Sequence, residues 1–349
     1  MEDLRCTETF GETVSPARNL GGYITPLVCR AYRDPVILED TRVFQNMLDI
    51  EEFYVAASNY FQNTQTEIKP HMRKIVTDWM LEVCLDQNCH ADVFLLSCNV
   101  MDRFLSQINI RKNQFQLVAA ATIFISSKLV DPCPITGCDL IKYTDNTYQL
   151  TELLEMELLI LSKLKWDLSA VTPYDFLDYL LRLLSHGNSA LSNTSSGWGA
   201  DSSALRRHTE NFIILCATEF RFSMYPPSML SSAALAAAAH SLDAGDGEIN
   251  GGGLDLGLLV KKLQVYTRVE NDCLQTCIQQ IEDTFKTASE NVNNKIKTQK
   301  HIPANSSPSK VNNNTKQSKL EPTKELDNVT DRKSQTPTEV FSADWLFVA

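Results

Sequence analysis

The chain has 349 residues, 43% of them hydrophobic and 21% charged, with a formal net charge of −11 and a pI near 5.1. That apolar content can fill one or two sizeable cores, and ordinary domain size favours two. The acidic balance repels a phosphate backbone and an anionic membrane, which excludes nucleic acid and membrane as expected partners and leaves proteins.

Residues 1–35 scatter Gly, Pro, Thr and Arg without a sustained apolar period and read as a mobile N-terminal arm. The opening MEDLRCTETF has neither the basic nor the apolar region of a leader, and no later stretch supplies the ~18 apolar residues of a membrane span. The expected locations are therefore the nucleus and cytoplasm. Order is expected from Val36, where a preceding helix leads into a first helical domain over 36–170. Along Lys69–Cys84, Met72, Ile75, Val76, Trp79, Met80 and Val83 recur at helical spacing, so a buried stripe should run down that helix. Further helices are predicted over Val93–Leu105, Asn113–Lys128, Cys138–Tyr143 and Thr151–Leu164, which completes a set of five.

Thr172-Pro173 then signals a restart, with a hydroxyl N-cap, proline at the first helical position and Asp175 near the positive end of the dipole. A second set is predicted over Tyr174–Leu184, Leu205–Phe222, Pro227–Leu242, Leu254–Tyr266 and Glu270–Thr287, within a second domain at 171–288. The third helix of each set is rich in small residues, LVAAATIFISSK and MLSSAALAAAAHSL, as expected of a central helix closely approached by its neighbours. The fold predicted is all-α, two tandem five-helix domains with surface loops at 186–203 and 245–253. From Ser289 to 349, Asn, Lys, Ser and Thr dominate and read as a disordered tail.

Catalytic signatures are missing: the sequence has no GxxxxGK[ST] loop, GxGxxG turn, HExxH helix or GxSxG elbow. The expectation is a non-enzyme that needs no cofactor. Ten cysteines include several in apolar helical stretches (Cys84, Cys98, Cys216, Cys277), where reduced core thiols are the better reading. Cys273 and Cys277, or Cys133 and Cys138, could approach one another, but no CxxC pair or His cluster completes a zinc site, and no metal is expected.

The segments HMRKIVTDWMLEVC, DRFLS (102–106), QLVAAATIFISSK (116–128) and MELLILSKLKWDL (156–168) occur in the order in which the cyclin box carries similar segments. MRKIV, YTDN, KLKWDL, LCAT and PPSM resemble the D-type cyclins most closely. The similarity spans roughly 36–289 and implies a regulatory subunit that binds and activates a cyclin-dependent serine/threonine kinase at the G1/S transition and directs it to retinoblastoma-type substrates. The alternative is a cyclin-fold adaptor that binds retinoblastoma or transcription proteins without activating a kinase.

Family resemblance maps the kinase-gripping lysine and glutamate onto Lys128 and Glu157, and a pure adaptor would not need that pair. Spacing alone favours reading them as solvated helix charges. The same resemblance assigns a substrate-docking patch to Met72, Ile75, Val76, Trp79 and Glu82 with Gln116, an apolar groove with an acidic rim for an Arg-x-Leu peptide. Periodicity alone makes that stripe core; one helix can do both if Met80 and Val83 are buried while Met72 and Trp79 edge the surface. Leu4, Cys6 and Glu8 fit the Leu-x-Cys-x-Glu motif for the retinoblastoma pocket, and an extended arm would put Leu4, Cys6 and Phe10 on one side. Thr336, in SQTPTEV, resembles the D-type degradation signal phosphorylated before proline. Kinase inhibitor proteins and a ubiquitin ligase complete the implied partners.

Overall fold

The computed structural model describes residues 34–186, 198–245 and 256–299. The predicted arm at 1–35 and tail at 289–349 lie largely outside the described residues, as does most of each long loop.

Two short helices open the described chain, α1 (Pro35–Glu39) and α2 (Thr41–Ile50). Each starts where an aspartate caps a free backbone N–H: Asp34 accepts from Val36 and Asp40 from Arg42, both at 2.9 Å. A 3-10 turn (Glu51–Tyr54) and the single turn α3 (Tyr60–Asn63) lead to the first set, α4 (Pro70–Asp86), α5 (Ala91–Gln107), α6 (Phe115–Val130), α7 (Gly137–Tyr143) and α8 (Leu150–Lys163). The second set is α9 (Pro173–His186), α10 (Trp198–Thr218), α11 (Pro227–Gly245), α12 (Leu256–Thr267) and α13 (Asn271–Gln299). No strand occurs among the described residues.

α6 packs against α4, α5, α7 and α8, and α11 against α9, α10, α12 and α13. Both are central because their small residues are fully enclosed: Ala119, Ala120 and Ala121 in α6, Ala233, Ala234 and Ala238 in α11 are 0% exposed. A larger side chain at those positions would hold the neighbouring helices apart.

Three details depart from the sequence expectation. α10 begins at Trp198, inside the stretch expected to be loop, and it ends at Thr218, with a separate 3-10 turn at Phe220–Phe222. α13 runs to Gln299, ten residues beyond the Ser289 where composition placed the start of a disordered tail; a helix already nucleated and packed propagates into residues that would not start one. At the restart, the Thr172 hydroxyl donates instead of capping: Thr172 N–H and O–H both reach the Asp175 carboxylate, at 2.7 and 2.9 Å. Asp175 therefore does the capping work, and burial pushes its carboxyl above the usual range.

The two sets are joined by buried polar contacts. Arg73 of α4, 1% exposed, is held by Asp102 of α5 through two hydrogen bonds of 2.8 and 2.7 Å, and Tyr60 donates to the same carboxylate at 2.9 Å. Its remaining N–H groups donate to the Thr218 and Ala217 carbonyls at 3.2 Å, and Thr77 donates to Thr218 at 3.1 Å. These are the carbonyls left without partners at the C-terminus of α10, where a cation is favoured by the dipole. A second link is Glu51, 5% exposed, which accepts from Ser228 N–H and Oγ, both at 2.7 Å, at the N-terminus of α11. A third is apolar, with Phe44 of α2 edge-on to Phe176 of α9 at 5.7 Å.

Candidate functional site

Lys128 sits in the last turn of α6, where a cation meets the negative end of the helix dipole. Its ammonium hydrogen-bonds Glu157 of α8 and lies 3.8 Å from the centroid of the Phe124 ring. The fold thus brings the two predicted residues, 29 apart in sequence, into one ion pair. The pair is reachable: the Lys128 side chain is 39% exposed and that of Glu157 12%.

Around the pair the surface is apolar. α8 buries Leu153, Met156, Ile160 and Leu161, yet Leu150, Leu154 and Leu158 remain 39%, 41% and 61% exposed. They recur every four residues and form a stripe along the outer face of the helix. Leu129 and Val130 follow Lys128 and are also exposed, at 53% and 40%. Sequence reasoning missed this stripe, although a signal was present. LLEMELLILSKL is apolar around more than one face, which a helix covered on one side only does not require.

The predicted docking stripe divides along α4. Met80, Val83, Thr77 and Arg73 are buried, Met72, Val76, Trp79 and Glu82 are half-buried, and Ile75 is 64% exposed. α4 therefore serves the core with one face and edges the surface with the other. Gln116, also half-buried, lies in the first turn of α6, which packs on α4. Trp79 Nε1 is buried and finds no acceptor among the described residues. Burial, reinforced by the nearby Asp78 carboxylate, pushes Glu82 up to about 6. Lys74 turns aside to Asp78 and to Thr218 Oγ1 at 3.0 Å, so it ties α4 to the end of α10.

Leu4, Cys6, Glu8 and Thr336 lie outside the described residues. Among those that are described, no group of three or more His, Cys, Asp or Glu side chains could hold a metal ion, and no helix is long and apolar enough to cross a membrane.

Comparison with known proteins gives two domain matches, "Cyclin, N-terminal domain" over residues 42–169 and "Cyclin, C-terminal domain" over 171–310. G1/S-specific cyclin-D2 of Rattus norvegicus is 44% identical over 255 residues, covering 73% of this chain and 83% of the relative. G1/S-specific cyclin-D3 of Homo sapiens is 41% identical over 258 residues, with 74% and 82% covered. G1/S-specific cyclin-D1 of Danio rerio is 40% identical over 270 residues, with 77% and 88% covered. Among solved structures, a viral cyclin from herpesvirus saimiri superposes with a TM-score of 0.56 at 22% identity, covering 70% of this chain and 96% of that one, a likeness of fold.

Proposed function

This chain belongs to the cyclin family, among the D-type cyclins, and from that premise we propose that it is the regulatory subunit of a cyclin-dependent serine/threonine kinase acting at the G1/S transition. The observation that carries the reading is the Lys128–Glu157 pair set among the exposed leucines of α8 and the exposed end of α6. An apolar patch of this kind with a charged pair at its centre suits a protein partner: the leucines supply buried area, and the pair can open to meet backbone groups at the ends of a partner's helix. Docking here would place the kinase's αC helix so that its glutamate meets the phosphate-gripping lysine, which completes the catalytic site in the kinase while the cyclin performs no chemistry.

Substrate choice is assigned to two further elements. The half-buried α4 edge, which carries Met72, Val76, Trp79 and the Glu82 carboxylate, would accept an Arg-x-Leu peptide. Leu4, Cys6 and Glu8 would present an extended peptide to a retinoblastoma pocket. In the tail, phosphorylation of Thr336 would add nearly two negative charges and create a ligand for an arginine-lined pocket of a ubiquitin ligase, marking nuclear protein for export and destruction. A longer half-life of Thr336→Ala in a cycloheximide chase is the expected result, and an unchanged decay removes that role.

The deciding experiment mixes the purified full chain with candidate cyclin-dependent kinases and a retinoblastoma fragment. Phosphorylation that depends on the chain supports the kinase-regulator reading. Binding of the fragment without activation of any kinase would establish the adaptor instead. Cys6→Gly or Glu8→Lys should weaken capture of the fragment while leaving activity on a histone-type substrate unchanged.

A further inference from the structure

The C-terminus of α4 closes in a hydrogen-bond pattern that sets two thiols against each other. Cys89 N–H donates to the Cys84 carbonyl at 2.9 Å and Asn88 N–H to the Leu85 carbonyl at 3.1 Å. Asn88 takes the left-handed conformation, φ 53°, that this closure requires. The motif brings the residue three positions before the helix cap and the residue two positions after it into side-chain contact. The same closure ends α7, where Asn146 N–H donates to Ile141, and α8, where Trp166 N–H donates to Leu161. Apolar or amide side chains fill the paired positions there; at α4 both are cysteines.

The two thiols are not equivalent. Cys84 is buried and Cys89 is half-buried, so only Cys89 is open to a reagent from solvent. Both side chains belong to one core, Cys84 within it and Cys89 packed at its edge. The neighbouring Cys89 thiol, with burial, holds the Cys84 thiol well above its usual range, and Cys84 in turn lowers Cys89 against the opposing effects of burial and the Asp131 carboxylate. The closure thus makes the reachable Cys89 the attacking sulfur and the enclosed Cys84 the one that resolves it.

We infer that Cys84 and Cys89 form a modification site at which a hydroperoxide oxidises the pair to a reducible disulfide closing the C-terminal corner of α4. In the first step the Cys89 thiolate attacks the peroxide, the O–O bond breaks, and Cys89 becomes a sulfenic acid as the leaving oxygen departs with a proton as water or an alcohol. In the second, the Cys84 sulfur attacks the sulfenic sulfur, the S–O bond breaks, and the hydroxide leaves with the Cys84 proton as water. The peroxide gains the two electrons that the two thiols lose. A dithiol reverses the reaction by exchange. The corner belongs to the helix that carries Trp79 and Glu82, so the bond would stiffen the end of that helix without a change of fold.

The test treats the purified full chain with hydrogen peroxide and then digests it on the N-terminal side of aspartate, which separates residues 78–85 from 86–91. The expected product is these two peptides linked, about 2 Da lighter than their sum and restored by dithiothreitol. The exposed Cys133, Cys138 and Cys273 serve as internal references, and Cys89 should react before them. In Cys89→Ser the buried Cys84 should stay unmodified. Over-oxidation of Cys89 without cross-linking, indiscriminate cross-linking among the exposed cysteines, or undiminished oxidation of Cys84 in Cys89→Ser would each overturn the assignment.

Discussion

In both boxes a basic residue of the third helix reaches a glutamate on the fifth. Lys128 of α6 meets Glu157 of α8, and His240 of α11 meets Glu282 of α13 at 2.6 Å. A basic residue set against a glutamate is therefore a feature of the repeat and does not by itself mark a binding surface. Around it the two boxes differ. α8 exposes Leu150, Leu154 and Leu158, whereas α13 presents Gln275, Thr276, Gln279 and Asp283 to solvent. One architecture thus carries an apolar outer face in the first box and a polar one in the second. Apolar area, and not the ion pair, is what distinguishes the first box as the proposed docking face.

The two boxes are joined at the Arg73 clamp, and the largest expected effect comes from breaking it. Arg73→Ala strands Asp102 as an uncompensated buried charge and unties the α10 carbonyls, a loss of about 3–5 kcal/mol. Calorimetry should show a lower melting temperature and two separating transitions; a single unshifted transition would mean that the boxes are joined elsewhere.

Reversing charge in each box sharpens the contrast next. Lys128→Glu should weaken kinase binding by about 3 kcal/mol, roughly a hundredfold, and leave the fold intact, because an exposed ion pair contributes little to stability. His240→Glu makes the matching change on the polar face and should leave kinase affinity alone. Equal losses in a co-purification assay would refute the asymmetry.

A smaller effect is expected from the stripe itself. Leu158→Ala removes exposed apolar area that folding does not use, so kinase affinity should fall by about 1 kcal/mol, roughly fivefold, at an unchanged melting temperature. A drop in thermal stability with normal binding would make Leu158 a packing residue.

The mildest prediction concerns α4. Glu82 is pushed up to about 6, above the ordinary carboxylate range, so it holds its proton at pH 5 and loses it by pH 7. A guanidinium ligand needs the ionised form, and affinity for an Arg-x-Leu peptide should therefore fall as pH drops through about 6. Glu82→Gln should flatten that profile, and a titration in which the variant keeps the same pH dependence would assign it to another group.

Helix existence, the order of the two sets and the central places of α6 and α11 were legible in the sequence, because periodicity and small-residue content are local properties carried by residues three or four apart. The division of α4 into a core face and a surface edge was legible for the same reason. The roles proposed for Lys128, Glu157 and the surface edge of α4 came from resemblance to a family, since a charged residue on a helix looks alike whether it is solvated or paired. Tertiary structure alone decided the rest. Arg73 meets Thr218 across 145 positions, Glu51 meets Ser228 across 177, and Tyr60 meets Asp102 across 42. Such partners share no local period, and they become neighbours only when helices pack. Which leucines of α8 stay exposed was settled likewise, by which of its faces α6 covers.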